Sequence, residues 1–162
     1  MSSSSFREKR CMEFSLIDYI TTNVNIDWTS VNVVKSFSQA YKEDLPVICI
    51  RSSSTLHNQK EVGSTNLYND VTIIIDVFAT SDGLRLDLAD YLVDKIKVGC
   101  VYYDYSKDSA DPEALDKDAN GRIRVLRWIN DTRVDFGTDV HDYDKFRHSL
   151  SFSVRKSWKY QQ

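Results

Sequence analysis

The chain has 162 residues, 41% of them apolar and 28% charged, with a formal net charge of −3 and a sequence pI near 5.6. That is the composition of one folded domain, not of a disordered chain, and it supplies no net positive field to draw the protein to phosphate backbones or anionic lipid. Sequence-specific nucleic-acid binding and membrane attachment are therefore not expected.

The N-terminus, MSSSSFREKR, has no apolar stretch of the signal-peptide kind, and no window is apolar for long enough to cross a bilayer, so a soluble intracellular protein is expected. Cys11, Cys49 and Cys100 are odd in number and far apart, without the short paired spacings of thiolate metal sites or redox dithiols. They read as reduced thiols, two of them in apolar runs as small core residues. Asn130-Asp131-Thr132 matches the glycosylation triplet, which carries no meaning without a secretory route.

In chain order, residues 1–6 read as a disordered leader, because the serines at 2–5 have nothing to bury, and a single domain is expected over 7–162. Phe6, Met12, Leu16, Ile17 and Ile20 recur at helical spacing with Glu8, Glu13 and Asp18 between them, predicting an amphipathic helix that Thr21, Thr22 and Asn23 end. Val31, Val33 and Val34 mark a strand, and the run 47–50 after Pro46 marks another. A polar stretch, 52–66, leads into 67–80, the strongest β signal. There Val71, Ile73, Ile75, Val77 and Ala79 form one apolar face, and Thr72, Ile74, Asp76 and Phe78 a mixed opposite one, as a central strand requires.

Ser81 or Asp82 can cap a second helix over 84–98, with apolar face Leu84, Leu88, Tyr91, Leu92 and Ile96, and Gly99 can terminate it. A short strand at 101–105 precedes a charged, proline-containing surface loop at 106–120. A strand resumes over 122–129, with Ile123, Val125 and Ile129 on one face and Arg122 and Arg124 on the other. Residues 136–146 read as irregular and acidic. The last strand alternates, Leu150, Phe152, Val154 and Trp158 one way and Ser149, Ser151, Ser153, Arg155 and Ser157 the other. The pattern predicts an α+β fold: one mostly antiparallel or mixed sheet of about four to six strands with two helices packed on it.

Three constellations bear on chemistry. DKDANGRI at 116–123 reproduces the first eight positions of an EF-hand calcium loop, but Arg127 stands where the bidentate glutamate belongs, and the favoured reading is an Asn120-Gly121 turn feeding a hairpin. Asp139, His141, Asp142 and Asp144 offer a divalent-ion or acid–base cluster, so that a metal-dependent hydrolase using the acidic loops is an alternative function; a solvated acidic loop is the plainer reading. His57 and His148 have no Ser, Cys or carboxylate partner at a recognisable spacing, and no phosphate loop or nucleophile elbow occurs. Trp128 and Trp158 on basic strands suggest a nucleic-acid stacking platform, against which Trp158 falls in phase with core residues. No catalytic residue, metal ligand or cofactor is assigned.

Two charge patterns fit assembly better than chemistry. Asp87, Asp90 and Asp94, three and four residues apart, put like charges on one helix face, where they repel unless a basic neighbour meets them. Arg122 and Arg124 can supply that neighbour from an adjacent subunit. Solvent exposure, with Arg85 and Lys97 as local partners, is the bland alternative.

An N-terminal helix, the proline-led strand PVICIR, the Glu61-Val62-Gly63 segment, the long strand VTIIIDVFA, the helix LRLDLADYLVDKI and the strand VYYDYS follow one another over residues 10–106. This order resembles the tail-terminator, or tail-completion, proteins of long-tailed bacteriophages. The resemblance implies a small α+β domain that forms a hexameric ring, stops tail-tube polymerisation and joins the tail to the head connector. It implies a non-enzymatic virion protein, in the host cytoplasm during assembly, whose partners are itself, the tail-tube protein and the connector, with no cofactor. The loop at 106–120 and the C-terminal strand pair go beyond a minimal member, and head-closure and adaptor proteins of the neck remain alternatives.

Overall fold

The computed structural model describes residues 7–105, 117–135 and 144–157. The expected leader, the loop at 106–116, the acidic residues Asp139, His141 and Asp142, and Trp158 lie outside the described residues.

The first helix, α1, spans Glu8–Asp27 and buries Cys11, Met12, Phe14, Leu16, Ile20 and Val24. It does not stop at Thr22. Thr22 Oγ1 donates to the Asp18 carbonyl at 2.8 Å and Asn23 Nδ2 to the Tyr19 carbonyl at 2.8 Å, so both side chains bond back to their own helix instead of diverting the backbone. Strand β1 (Asn32–Val34) follows, then a short helix α2 (Phe37–Ala40) that the apolar pattern does not announce. Its one local signal is Ser36, whose Oγ accepts from the Gln39 amide.

Strand β2 covers Val47–Gln59, continuing well into the stretch expected to be a polar connection, and β3 covers Leu67–Ala79. Helix α3 (Asp82–Ile96) starts at Ser81, which caps it by accepting from the Leu84 amide. Then come β4 (Cys100–Tyr105), β5 (Lys117–Val134) and β6 (Phe146–Ser157). Residues 117–120, read from sequence as the end of a loop, are the start of β5 and pair with β4.

The described residues form an α+β fold, with three helices and one six-stranded sheet in the order β1-β2-β3-β6-β5-β4, curled into a half-barrel. Among them the β1–β2 pair is parallel and the other pairs are antiparallel. As its two apolar faces require, β3 is an inner strand. On one face Ile48, Ile50, Val71, Ile73, Ile75, Val77, Leu150, Phe152 and Val154 pack under α1 and α3, which contribute Met12, Leu16, Ile20, Leu88, Leu92 and Ile96. The opposite face carries a smaller cluster, Ala40, Val47, Cys49 and Phe78, covered in part by Phe37 of α2.

Strand β5 departs from simple alternation. Bulges between Val125 and Arg127 and between Trp128 and Asn130 shift its phase against β6. Trp128, not Ile129, therefore lies over Phe152, with ring centroids 5.0 Å apart, and Ile129 is exposed. All three cysteines are free and buried; burial pushes the Cys49 thiol up to about 11 and the Cys100 thiol up to about 12.

The outer margin of β4 is closed by α1. Ser15 Oγ accepts from the Tyr103 amide at 3.0 Å, and Arg7 Nη1 donates to the Tyr105 carbonyl at 2.6 Å.

Candidate functional site

The acidic stripe is where helical spacing places it. Leu88, Leu92 and Ile96 turn one face of α3 into the core, leaving Asp87, Asp90 and Asp94 exposed on the outside. Asp94 is met by Lys97 Nζ at 2.6 Å, whose hydrogen bond holds its carboxyl below the usual range. Asp87 and Asp90 make no ion pair with any described residue. Arg85, the other local partner expected from sequence, is turned inward instead. Lys95 leans away to Asp27 at 3.5 Å.

Arg122 and Arg124 flank Ile123, which is buried in the core beneath the helices. Alternation then sends Arg124 toward the opposite face of the sheet, whereas the Arg122 guanidinium reaches back round the margin to the end of α3 and a groove beside α1. Both residues are exposed; Arg122 Nη2 donates to the Val98 carbonyl at 3.3 Å, and Arg124 forms no ion pair with a described residue. The stripe and Arg124 thus look out on opposite sides of one layer, while Arg122 lies near the C-terminal end of α3.

Residues 117–123 of the calcium-loop motif sit in an extended strand, and Asp116 lies outside the described residues. Asp118 lies opposite Asp104 in the ladder, and Asn120 Nδ2 donates to Asp104 Oδ2 at 2.5 Å. Asn120-Gly121 is not a hairpin turn. Gly121 takes φ 108° where β5 passes so close to β6 that a Cβ would lie 2.3 Å from the Ser157 carbonyl oxygen. Of the second acidic cluster, Asp144 is described; it accepts from the Tyr41 hydroxyl at 3.0 Å and lies 3.7 Å from Arg147.

Two polar arrangements have no local signal in the sequence. Asp76, 2% exposed in the middle of β3, is held by Arg147 at 3.1 Å and Arg51 at 3.6 Å, and the Arg147 guanidinium lies over the rings of Phe37 and Phe78. A carboxylate there is retained because two cations neutralise it. On the helix side, Asp82 Oδ1 accepts from Arg85 Nε at 2.9 Å, Arg85 Nη1 meets His148 Nδ1 at 2.5 Å, and His148 Nε2 meets Asp131 Oδ1 at 2.5 Å. A guanidinium only donates, so His148 accepts at Nδ1 and carries its proton on Nε2, facing Asp131. This orients a histidine as a base would be oriented, yet none of these hydrogen bonds reaches a hydroxyl or thiol nucleophile among the described residues. The arrangement ties α3 to β5 and β6 across the core.

A groove of about 460 Å³ lies between α1 and the start of β4, bounded by Asp18, Tyr19, Asn23, Gly99, Val101 and Arg122. Among the described residues no group of three or more His, Cys, Asp and Glu side chains converges as metal ligands do, and no helix is long and apolar enough to cross a membrane. No protein-family model matches the chain, and no curated protein matches it significantly.

Proposed function

We propose that this chain is a non-enzymatic structural protein of a phage virion, a ring-forming tail terminator that caps the head-proximal end of the tail tube and joins it to the head connector. Its partners are further copies of itself, in a hexamer, the tail-tube protein and the connector. The order of elements over residues 10–106 supports this reading. The structural observation that carries it is the placement of charge: Asp87 and Asp90 on the outer side of α3, and Arg124 on the other side of the sheet, none of them in an ion pair with a described residue, whereas Asp94 is met by Lys97 and Arg122 by the Val98 carbonyl. Asp87, Asp90 and Arg124 can therefore meet other molecules, and a joining protein needs such surfaces on more than one side. The hydrolase reading has less to stand on, since Asp118 and Asn120 lie in a paired strand and Asp144 is engaged by Tyr41.

Replacing all three aspartates by lysine is expected to leave the far-ultraviolet circular dichroism native while abolishing ring formation or tail joining in a reconstitution, since like-charge juxtaposition at an interface costs several kcal/mol. Normal assembly of that variant would reduce the stripe to a solvated face. Electron microscopy of particles made without the protein separates terminator from neighbour: overlong tails mark a terminator, and tailless filled heads mark a head-closure or adaptor protein.

A further inference from the structure

We infer that copies of this chain join laterally by strand pairing, the outer half of β2 in one copy docking antiparallel on the outer half of β5 in the next. The inference rests on the self-assembly part of the proposed function and not on what the assembly caps.

The margins of the sheet are covered only in part. β1 pairs with β2 no further than Cys49, the Ser52 amide and hydroxyl just beyond are taken by Glu13 of α1, and β4 pairs with β5 no further than Ile123. Among the described residues, β2 beyond Ser52 and β5 beyond Ile123 therefore present unpaired main-chain edges, one on each margin of the same sheet. Such edges are templates for another strand. These carry no proline, and exposed apolar side chains collect on them: Leu56 on β2, and Leu126, Trp128 and Ile129 on β5.

The two edges match in direction and position. Measured along its inner neighbour, the open edge of β2 runs from Leu67 to Val71 of β3 and that of β5 from Arg147 to Arg155 of β6, so the shorter edge of β2 can seat within the longer edge of β5. Three antiparallel pairings separate β2 from β5, so the two strands run in opposite directions, as an antiparallel ladder between copies needs. The open edge of β2 lies toward the β2–β3 hairpin and that of β5 toward the opposite end, so a copy displaced along the strands brings the edges together.

Side-chain faces refine the register. His57 lies opposite Asn69, and Trp128 opposite Phe152, both on the side of the sheet that carries α1 and α3. A register that keeps like faces together sets His57 against Trp128 and Leu56 against Asn130. The contact is head-to-tail, so repeating it gives a ring when the rotation closes. The bulges at Ser52/Thr55 and along β5 bend the edges and so supply rotation as well as translation.

Cysteine cross-linking tests this, because the native thiols are all buried. Under mild oxidation, Leu56→Cys mixed with Asn130→Cys is expected to give a covalent dimer that neither gives alone, as is His57→Cys mixed with Trp128→Cys. The double variant Leu56→Cys/Asn130→Cys is expected to give a ladder ending at the ring number. An oligomer by light scattering with no cross-link in either pair would overturn the strand pairing and leave the ring reading standing; a monomer at all concentrations would overturn both. Dimers from Asn130→Cys or Leu56→Cys alone would show like edges meeting, which also overturns the head-to-tail arrangement.

Discussion

β2 and β5 each have two halves with different fates. In β2, Val47 to Ile50 are fully buried, whereas Leu56 is 62% exposed; in β5, Ile123 is 1% exposed and Leu126 is 46% exposed. The change falls close to where the flanking strand ends, at Cys49 for β1 and Ile123 for β4. One continuous strand can therefore serve stability at one end and association at the other. Of the apolar residues in the second halves, Leu56, Leu126 and Ile129 belong to a surface, while Val125 packs against the core and Trp128 lies over Phe152.

The sharpest way to break that comparison is to make the same change in both regions. Leu88→Ala, beneath the sheet, is expected to destabilise the chain by about 2–5 kcal/mol through the cavity it leaves, whereas Leu126→Ala should alter stability by no more than about 0.5 kcal/mol and reduce assembly instead. Urea unfolding alongside light scattering reads both. Equal stability losses would put Leu126 in the core and remove the distinction.

A smaller effect is expected at Arg85. Arg85→Met keeps most of the side-chain volume but strands Asp82 and His148 without their shared donor, at a cost of about 1–3 kcal/mol. His148→Phe in the same background should then cost little more, because the pair acts as one unit. Full additivity of the two changes in a double-mutant cycle would show that the hydrogen-bonded chain is not coupled.

The smallest expected effect is on pH dependence. A thiol ordinarily near 9 that the fold pushes up to about 11 at Cys49 and about 12 at Cys100 keeps its proton in the native state while the unfolded chain loses it. Unfolding then releases protons, so stability falls as pH rises above about 9, by at most about 1.4 kcal/mol per pH unit for each thiol. Replacing both cysteines by alanine should flatten that slope even though it lowers stability at neutral pH. An unchanged slope, or native thiols that react freely at pH 8, would show that the two are not sealed in the core.

The buried half of the molecule was largely legible. β3, α3 and β6 each carry the alternation or helical spacing their packing demands, and α3's acidic stripe follows from the same periodicity. The open half was not legible, for a physical reason. Ser52 to Gln59 hold their strand through the ladder with β3 while much of their surface stays in solvent, so no apolar pattern marks them. The β5 bulges exchange the roles of Trp128 and Ile129, which strict alternation cannot anticipate. Arg85 and His148, 63 residues apart, meet only because β6 lies beneath α3. That Arg122 reaches the end of α3 depends on β5 lying beside β4, which no local pattern announces.

The seal that α1 places on β4 has a consequence for growth. With the Tyr103 amide held by Ser15 and the Tyr105 carbonyl by Arg7, the upper part of that margin has no free valence to offer an incoming strand. A chain retaining one donor edge and one acceptor edge can be extended in line but cannot branch. A third open edge would turn the same subunits into a network, so under the proposed strand pairing the hydrogen bonds of Ser15 and Arg7 would hold each chain to two lateral neighbours.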